Sequence, residues 1–135
     1  MADDKVIGKV FPDEYKQPFI GLLYVGAMKK TVEYAGHKIV LRTLTQGEEL
    51  RVGQLTREYV GCRNETSALK LYYVAAAVES VDGKSMLNEL HDDVDPITTK
   101  AEQMKEWYAP VVEYLYDEYS VMFKSCAEVA GALKK

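Results

Sequence analysis

The side chains best suited to catalysis or metal binding are the two histidines and a group of carboxylates beside one of them. His91 lies beside Asp92, Asp93 and Asp95, and carboxylate oxygens suit a hard cation such as Ca²⁺. The EF-hand pattern also needs a central glycine and a terminal glutamate, which this stretch lacks. We therefore expect a solvated acidic connection and no metal site. His37 has no ligand partner at a metal spacing, so we expect a polar turn residue.

The other reactive side chains have structural explanations. Glu48 and Glu49 stand at a predicted helix start, where carboxylates complement the helix dipole. Cys62 and Cys126 fit no C-x-x-C spacing, which indicates reduced cytosolic thiols, although spacing alone leaves a bridge open. The chain has no glycine-rich phosphate loop, G-x-S-x-G motif or H-E-x-x-H motif. We therefore expect no enzyme and no cofactor; a deep polar pocket around either histidine would favour a small enzyme or ligand-binding protein instead.

Composition predicts one globular domain over 1–135. Of its residues, 47% are hydrophobic and 28% are charged. The net charge of −4 argues against a nucleic-acid or anionic-membrane partner, since phosphate binding needs clustered Lys and Arg. The longest apolar run, 71–78, is too short to cross a bilayer, and the first residues lack an apolar signal core. Ten tyrosines suit a protein interface, although half-buried core positions would also explain them.

Hydrophobic periodicity predicts a mainly α fold in three parts. Prolines and glycines interrupt 1–30 and favour an extended arm with one short strand. Alternating apolar residues on both sides of a short turn predict a β-hairpin over 31–43. Thr45 and Glu48 have the spacing of a capping box that opens a helix, and a helical body is expected over 45–133.

The helical body is predicted to begin with a helix over 46–60 and a second helix from 64 to about 80. The second is apolar around nearly its whole circumference, so we expect it to be the central helix of the core. An Asp-Gly turn at 82–83 follows it, either as a small hairpin flanked by Val81 and Met86 or as a tight bend. The last segment, 97–133, contains Pro110, which should kink the helix or divide it near Ala109.

Two apolar stripes run along this last segment. The first recurs about every 3.6 residues, the period of a straight helix, and predicts a core face. It consists of Met104, Tyr108, Val111, Leu115, Tyr119, Met122, Cys126, Val129 and Leu133. The second stripe consists of Val112, Tyr116, Phe123, Ala127 and Ala130. Together they are wider than one packing face requires, so the helix is either sandwiched within its own domain or carries an intermolecular surface.

Four segments resemble one protein family and span most of the chain in order. They are LLYVG at 22–26, TVEYAGHKIVLRTLTQGEEL at 31–50, VDGK at 81–84 and EWYAPVVEYLYDEY at 106–119. With the hairpin, the capped helix and the proline-broken last segment, they resemble the tail assembly chaperones of long-tailed bacteriophages, especially those of actinobacteria. The resemblance implies a small, mostly helical, cytoplasmic protein of the infected cell, which is absent from the finished particle.

The family's partner is the tape measure protein, which such a chaperone binds while tail tube subunits polymerise around it. The resemblance therefore implies the tape measure protein as partner. The tail tube protein and a homo-oligomer are the further contacts that we consider, and the sequence leaves both open. A very long helical partner needs its apolar stripe masked, which helix-in-groove packing against the wide apolar arc would do. The expected contact residues are Tyr114, Tyr116, Tyr119 and Phe123, together with Phe19, Leu22, Leu23 and Tyr24 of the arm. The alternative is a virion structural protein such as a head-to-tail adaptor or tail terminator.

Overall fold

The computed structural model describes residues 25–87 and 95–132. Most of the predicted arm over 1–30 and most of the acidic connection, 88–94, lie outside these ranges. Within them the chain forms four α-helices and one three-stranded antiparallel sheet. The elements in order are β1 (Lys29–Tyr34), β2 (His37–Arg42), α1 (Gln46–Leu55), a 3-10 turn (Arg57–Tyr59), α2 (Glu65–Ala77), β3 (Val78–Val81), α3 (Pro96–Met104) and α4 (Ala109–Ala132). The chain is mainly α, with more sheet than the predicted hairpin supplies.

Strands β1 and β2 form the predicted hairpin, which begins at Lys29, two residues before its predicted start. Val32 lies opposite Ile39, and both side chains are buried, as the two-residue period predicted. The turn residues Ala35 and Gly36 have φ values of 51° and 83°. Positive φ at both central positions gives a hairpin turn whose twist matches that of the strands.

Strand β3 was not predicted. It pairs antiparallel with β2 and places Val81 opposite Ile39. The prediction of helix to about residue 80 was wrong: α2 ends at Ala77, and Val78 has the extended values φ −70° and ψ 117°. Residues 78–81 thus satisfy backbone groups of β2 instead of adding a last helical turn.

Helix α1 begins with the predicted capping box. The Glu48 amide donates to the Thr45 hydroxyl oxygen over 3.2 Å, and the Thr45 amide donates to the Glu48 carboxylate over 2.9 Å. The helix ends at Leu55, before the predicted residue 60. There the Thr56 hydroxyl donates to the Val52 carbonyl over 2.8 Å, a bond of the kind that competes with regular helix.

Helix α2 is the central helix of the core, as its apolar circumference predicted. Tyr72 and the run from Val74 to Ala77 are buried, and α2 packs against α1, α3 and α4 and contacts β2 and β3. One hydrophobic cluster joins these residues to the inward faces of the sheet, α3 and α4. The sheet and α4 are therefore positioned through contacts with the same core.

The predicted division near Ala109 is confirmed. Helix α3 ends at Met104 and α4 begins at Ala109. Pro110 therefore lies in the first turn of α4, where its missing amide breaks no helical hydrogen bond. Tyr108 lies in the connection and is 84% exposed, so its predicted place on the core face was wrong. None of the helices in the described ranges combines the length and hydrophobicity that crossing a bilayer requires.

Candidate interaction surface

The first apolar stripe of α4 faces the core. Leu115 is fully buried, and Tyr119, Met122 and Cys126 are 5%, 2% and 6% exposed. The Cys126 thiol donates to the Gly26 carbonyl over 2.8 Å. Cys126 and the exposed Cys62 are both free. This line of residues attaches α4 to the domain along most of its length.

The second stripe lies at the edge of this buried face. Phe123 is 46% exposed and Ala127 is exposed, whereas Val112, Tyr116 and Ala130 are partly buried. Within 25–87 and 95–132, no element covers the whole of this second stripe. An apolar strip runs along the helix beside the core, as the intermolecular alternative requires.

Two aromatic rings of this strip pack with two rings beside it, and we call the four the aromatic cluster: Tyr116 and Phe123 in the strip, with Tyr73 and Tyr119 beside it. Tyr119 stacks on Tyr73 at 6.1 Å and on Phe123 at 6.2 Å, and its centroid lies 6.3 Å from that of Tyr116. Such pairs contribute about 0.5–1.5 kcal/mol beyond their buried area. The cluster therefore holds Phe123 against a fixed base, although almost half of its surface faces solvent.

Tyr119 is the buried base of this cluster, so it does not belong to the exposed contact surface expected from the sequence. Burial raises the pKa of its hydroxyl, and the carboxylate of Glu49 on α1 raises it further. The same two causes raise the pKa of Tyr73 on α2. Residues of α1, α2 and α4 thus meet beneath Phe123, and the phenols stay neutral at physiological pH.

Charged side chains border the strip. The Lys70 amine lies 5.6 Å from the centre of the Tyr116 ring and 2.8 Å from a Glu113 carboxylate oxygen. This ion pair raises the pKa of Lys70, so the amine remains a cation over the ring. Asp117, Lys124 and Glu128 follow along the exposed side of α4.

Tyr114 lies on a different side of α4 from Tyr116. Its ring is 4.9 Å from that of Tyr34 on β1, and one turn later Glu118 pairs with Lys30 over 3.0 Å. These contacts attach α4 to the hairpin and leave Tyr114 partly buried. The expected contact residues thus separate, and only Tyr116 and Phe123 lie along the strip. Phe19, Leu22, Leu23 and Tyr24 lie outside the described residues.

The residues first considered for chemistry have other partners. His37 is exposed, and its Nδ1 lies 2.6 Å from the Asp82 carboxylate, which also accepts from the Lys38 amide. Asp95 caps α3 by accepting from the Thr98 amide and pairs with Arg51 over 3.1 Å. His91, Asp92 and Asp93 lie outside the described residues, within which no three potential ligands group around a metal position.

An open groove of about 700 Å³ lies between 25–29 and 42–46. Its charged lining includes Arg42, whose guanidinium binds the Glu48 carboxylate at two points. This contact raises the pKa of Arg42 and lowers that of Glu48. The pair joins the end of β2 to the start of α1, so its place in the groove has a structural explanation.

Lys100 is a buried cation that sequence reasoning missed. It is 6% exposed, and its amine donates to the Val78 carbonyl, at the end of α2, over 2.7 Å. Burial lowers the pKa of Lys100 to about 8, and the nearby Arg42 lowers it as well. Its position between Ile97 and Met104 on the apolar face of α3 could have predicted this burial. Its hydrogen bond places a positive charge at the carboxyl end of the central helix, where a cation is favourable.

The aromatic cluster and its exposed Phe123 form the candidate site, and the geometry suits packing against another polypeptide. Half-exposed aromatic rings on a fixed base, bordered by charges, are typical of protein contact surfaces. Comparison of the chain with family models, with curated proteins and with solved structures finds no match.

Proposed function

We propose that this chain is a tail assembly chaperone of a long-tailed bacteriophage and that it acts by binding, without catalysis, in the host cell cytoplasm. Its partner is the tape measure protein, which it holds while tail tube subunits assemble. The resemblance of 31–50 and 106–119 to that family supports the proposal. The structural observation that carries it is the 46% exposure of Phe123 on the aromatic cluster.

The binding mode we propose is helix-in-groove packing along α4. An amphipathic partner helix would place its apolar face on Tyr116, Phe123 and Ala127 and remove them from water. A buried aromatic anchor of this kind commonly contributes about 2 kcal/mol or more to an interface. Asp117 and Glu128 at the border favour a partner helix with basic residues beside its apolar face.

Co-expression of the chain with the tape measure protein of the same phage tests the proposal. We expect the variant Tyr116→Ser with Phe123→Ser to lose co-purification of the tape measure protein. Val121→Ser is the matched control, because Val121 is 54% exposed on the same helix but lies away from the strip. Equal recovery of the tape measure protein by both variants would contradict the proposed binding mode.

Purified particles separate this function from that of a virion structural protein. A head-to-tail adaptor or tail terminator remains in the particle, whereas a chaperone leaves it. Mass spectrometry of purified virions should therefore detect the tape measure protein without this chain. Stoichiometric retention of the chain would replace the proposed function with the structural one.

A further inference from the structure

The exposed side of α4 carries two opposite charges without partners in the part of the chain that the structure describes. Asp117 and Lys124 are both exposed, and neither forms an ion pair there. Glu113, by contrast, is paired with Lys70. Asp117 and Lys124 lie seven residues apart, two helical turns, so they occupy the same side of the strip but cannot reach each other. In addition to the pair with Glu113, the field of Asp117 helps to raise the pKa of the nearby Lys70, but Asp117 forms no close ion pair within the described ranges, so both side chains can pair with a charge on another molecule.

The apolar strip beside these charges has a spacing that is the same when α4 is followed in either direction. Four of its five residues, Val112, Tyr116, Phe123 and Ala127, follow one another at intervals of four, seven and four residues; Ala130 lies beyond them. The midpoint between 119 and 120 bisects both the outer pair and the inner pair. When a second α4 runs in the opposite direction across this midpoint, each aromatic ring meets the other ring type and each Val112 meets an alanine.

We propose that the occupant of this strip is a second copy of the same chain, packed α4 against α4 in antiparallel orientation. Reversal about the midpoint brings Asp117 within two residues of the second copy's Lys124, about 3 Å along the helix axis, and does so twice. A lysine side chain spans such an offset easily. In a parallel pair the two-fold axis would run along the helices and place the charged sides of the two copies on opposite sides of the contact, so the two Asp117–Lys124 pairs would not form.

The neighbouring side chains agree with this arrangement. Ser120, near the midpoint, is small enough to let two helices approach closely. The Lys70 amine lies over the Tyr116 ring and forms an ion pair with Glu113, so it adds no unpaired charge to the contact. One helix pair is smaller than a standard interface of roughly 1,600 Å², and a reversible dimer with a dissociation constant on the order of micromolar is expected.

Such a dimer would regulate the proposed function. Because it covers Phe123, the partner helix and the second copy compete for the same strip, and the chain would be stored with its apolar surface covered. This competition depends on the proposed function, whereas self-association does not. The dimer therefore needs a test on the purified chain alone.

Sedimentation velocity over a concentration series tests the dimer. Asp117→Lys and Lys124→Asp should each weaken self-association about tenfold, because each replaces two attractive pairs with two repulsive ones. The combined exchange, Asp117→Lys with Lys124→Asp, should restore it, since the antiparallel pairs are then regenerated with reversed charge. Phe123→Ser should leave a monomer, and Val121→Ser should dimerise normally.

A monomeric wild type up to about ten times the expected dissociation constant would overturn the dimer, and so would a combined exchange that fails to recover association. Circular dichroism and thermal melting of each variant show whether the fold is intact, and both charges are exposed, so all the charge variants should fold. If the wild-type chain dimerises but does not bind the tape measure protein, only the proposed function is contradicted. If it binds the tape measure protein but does not dimerise, only the dimer is contradicted.

Discussion

Replacing Lys100 with Met should change how the stability of the domain depends on pH. The Lys100 amine is buried against the Val78 carbonyl, and its pKa is lowered from 10.5 to about 8. The unfolded chain therefore keeps this proton at pH values where the folded protein has released it. Stability must rise with pH in that window, because the unfolded state binds more protons.

The size of the effect follows from the two pKa values. Between about pH 7 and about pH 9.5, release of the proton from folded Lys100 should add about 2 kcal/mol to the free energy of unfolding. The Lys100→Met variant has no such group and should lack this increase. Tyrosines such as Tyr119 titrate similarly in both proteins, so the difference between the two curves isolates Lys100.

Urea unfolding at several pH values measures this difference, with fluorescence of the single tryptophan, Trp107, and circular dichroism as two probes. Lys105→Met is a suitable control, because the Lys105 amine is exposed, and pairing with Glu102 raises its pKa. That variant should keep the wild-type slope below about pH 9.5. Parallel curves for wild type and Lys100→Met would refute the assignment of a depressed pKa to a buried Lys100.

Other substitutions separate the core of the domain from the exposed strip. Leu115→Ala should lower the free energy of unfolding by about 2–5 kcal/mol, because Leu115 is fully buried between α4 and the core. Chemical denaturation measures this loss, and a value below about 1 kcal/mol would contradict the packing of Leu115. Phe123→Ser should cost about 1–2 kcal/mol by the same measurement, since the ring is 46% exposed but stacks on Tyr119, and a cost above about 3 kcal/mol would place the ring in the core. Thr45→Ala should cost about 1 kcal/mol through loss of the helix cap, and an unchanged melting temperature would show that the capping box contributes nothing.

The sequence was sufficient for features that depend on local chemistry. The hairpin follows from alternation around Val32 and Ile39, and the start of α1 follows from the capping box at Thr45 and Glu48. Pro110 divides the last segment because its ring and missing amide act on the adjacent turn, whatever the rest of the chain does. In each case the determinant lies within a few residues of its effect.

Features that depend on distant contacts could not be predicted in the same way. Strand β3 forms because the edge of β2 is available, and nothing in 78–81 specifies that partner. Lys100 is buried because the end of α2 offers a carbonyl to its amine. Periodicity assigned Tyr119 to the core stripe of α4 and Phe123 to the second stripe, but it could not show that Tyr73 from α2 stacks on Tyr119 beneath Phe123.

The central claim is that the strip around Phe123 binds the tape measure protein, and an affinity measurement on purified components tests it most directly. Wild-type chain and two variants, Phe123→Ser and Val121→Ser, would be titrated against the tape measure protein at a fixed concentration of each chain. Loss of an aromatic anchor should weaken binding by Phe123→Ser about thirtyfold or more, while Val121→Ser binds as wild type does. Equal affinities for all three proteins, or no binding by any of them, would contradict the account.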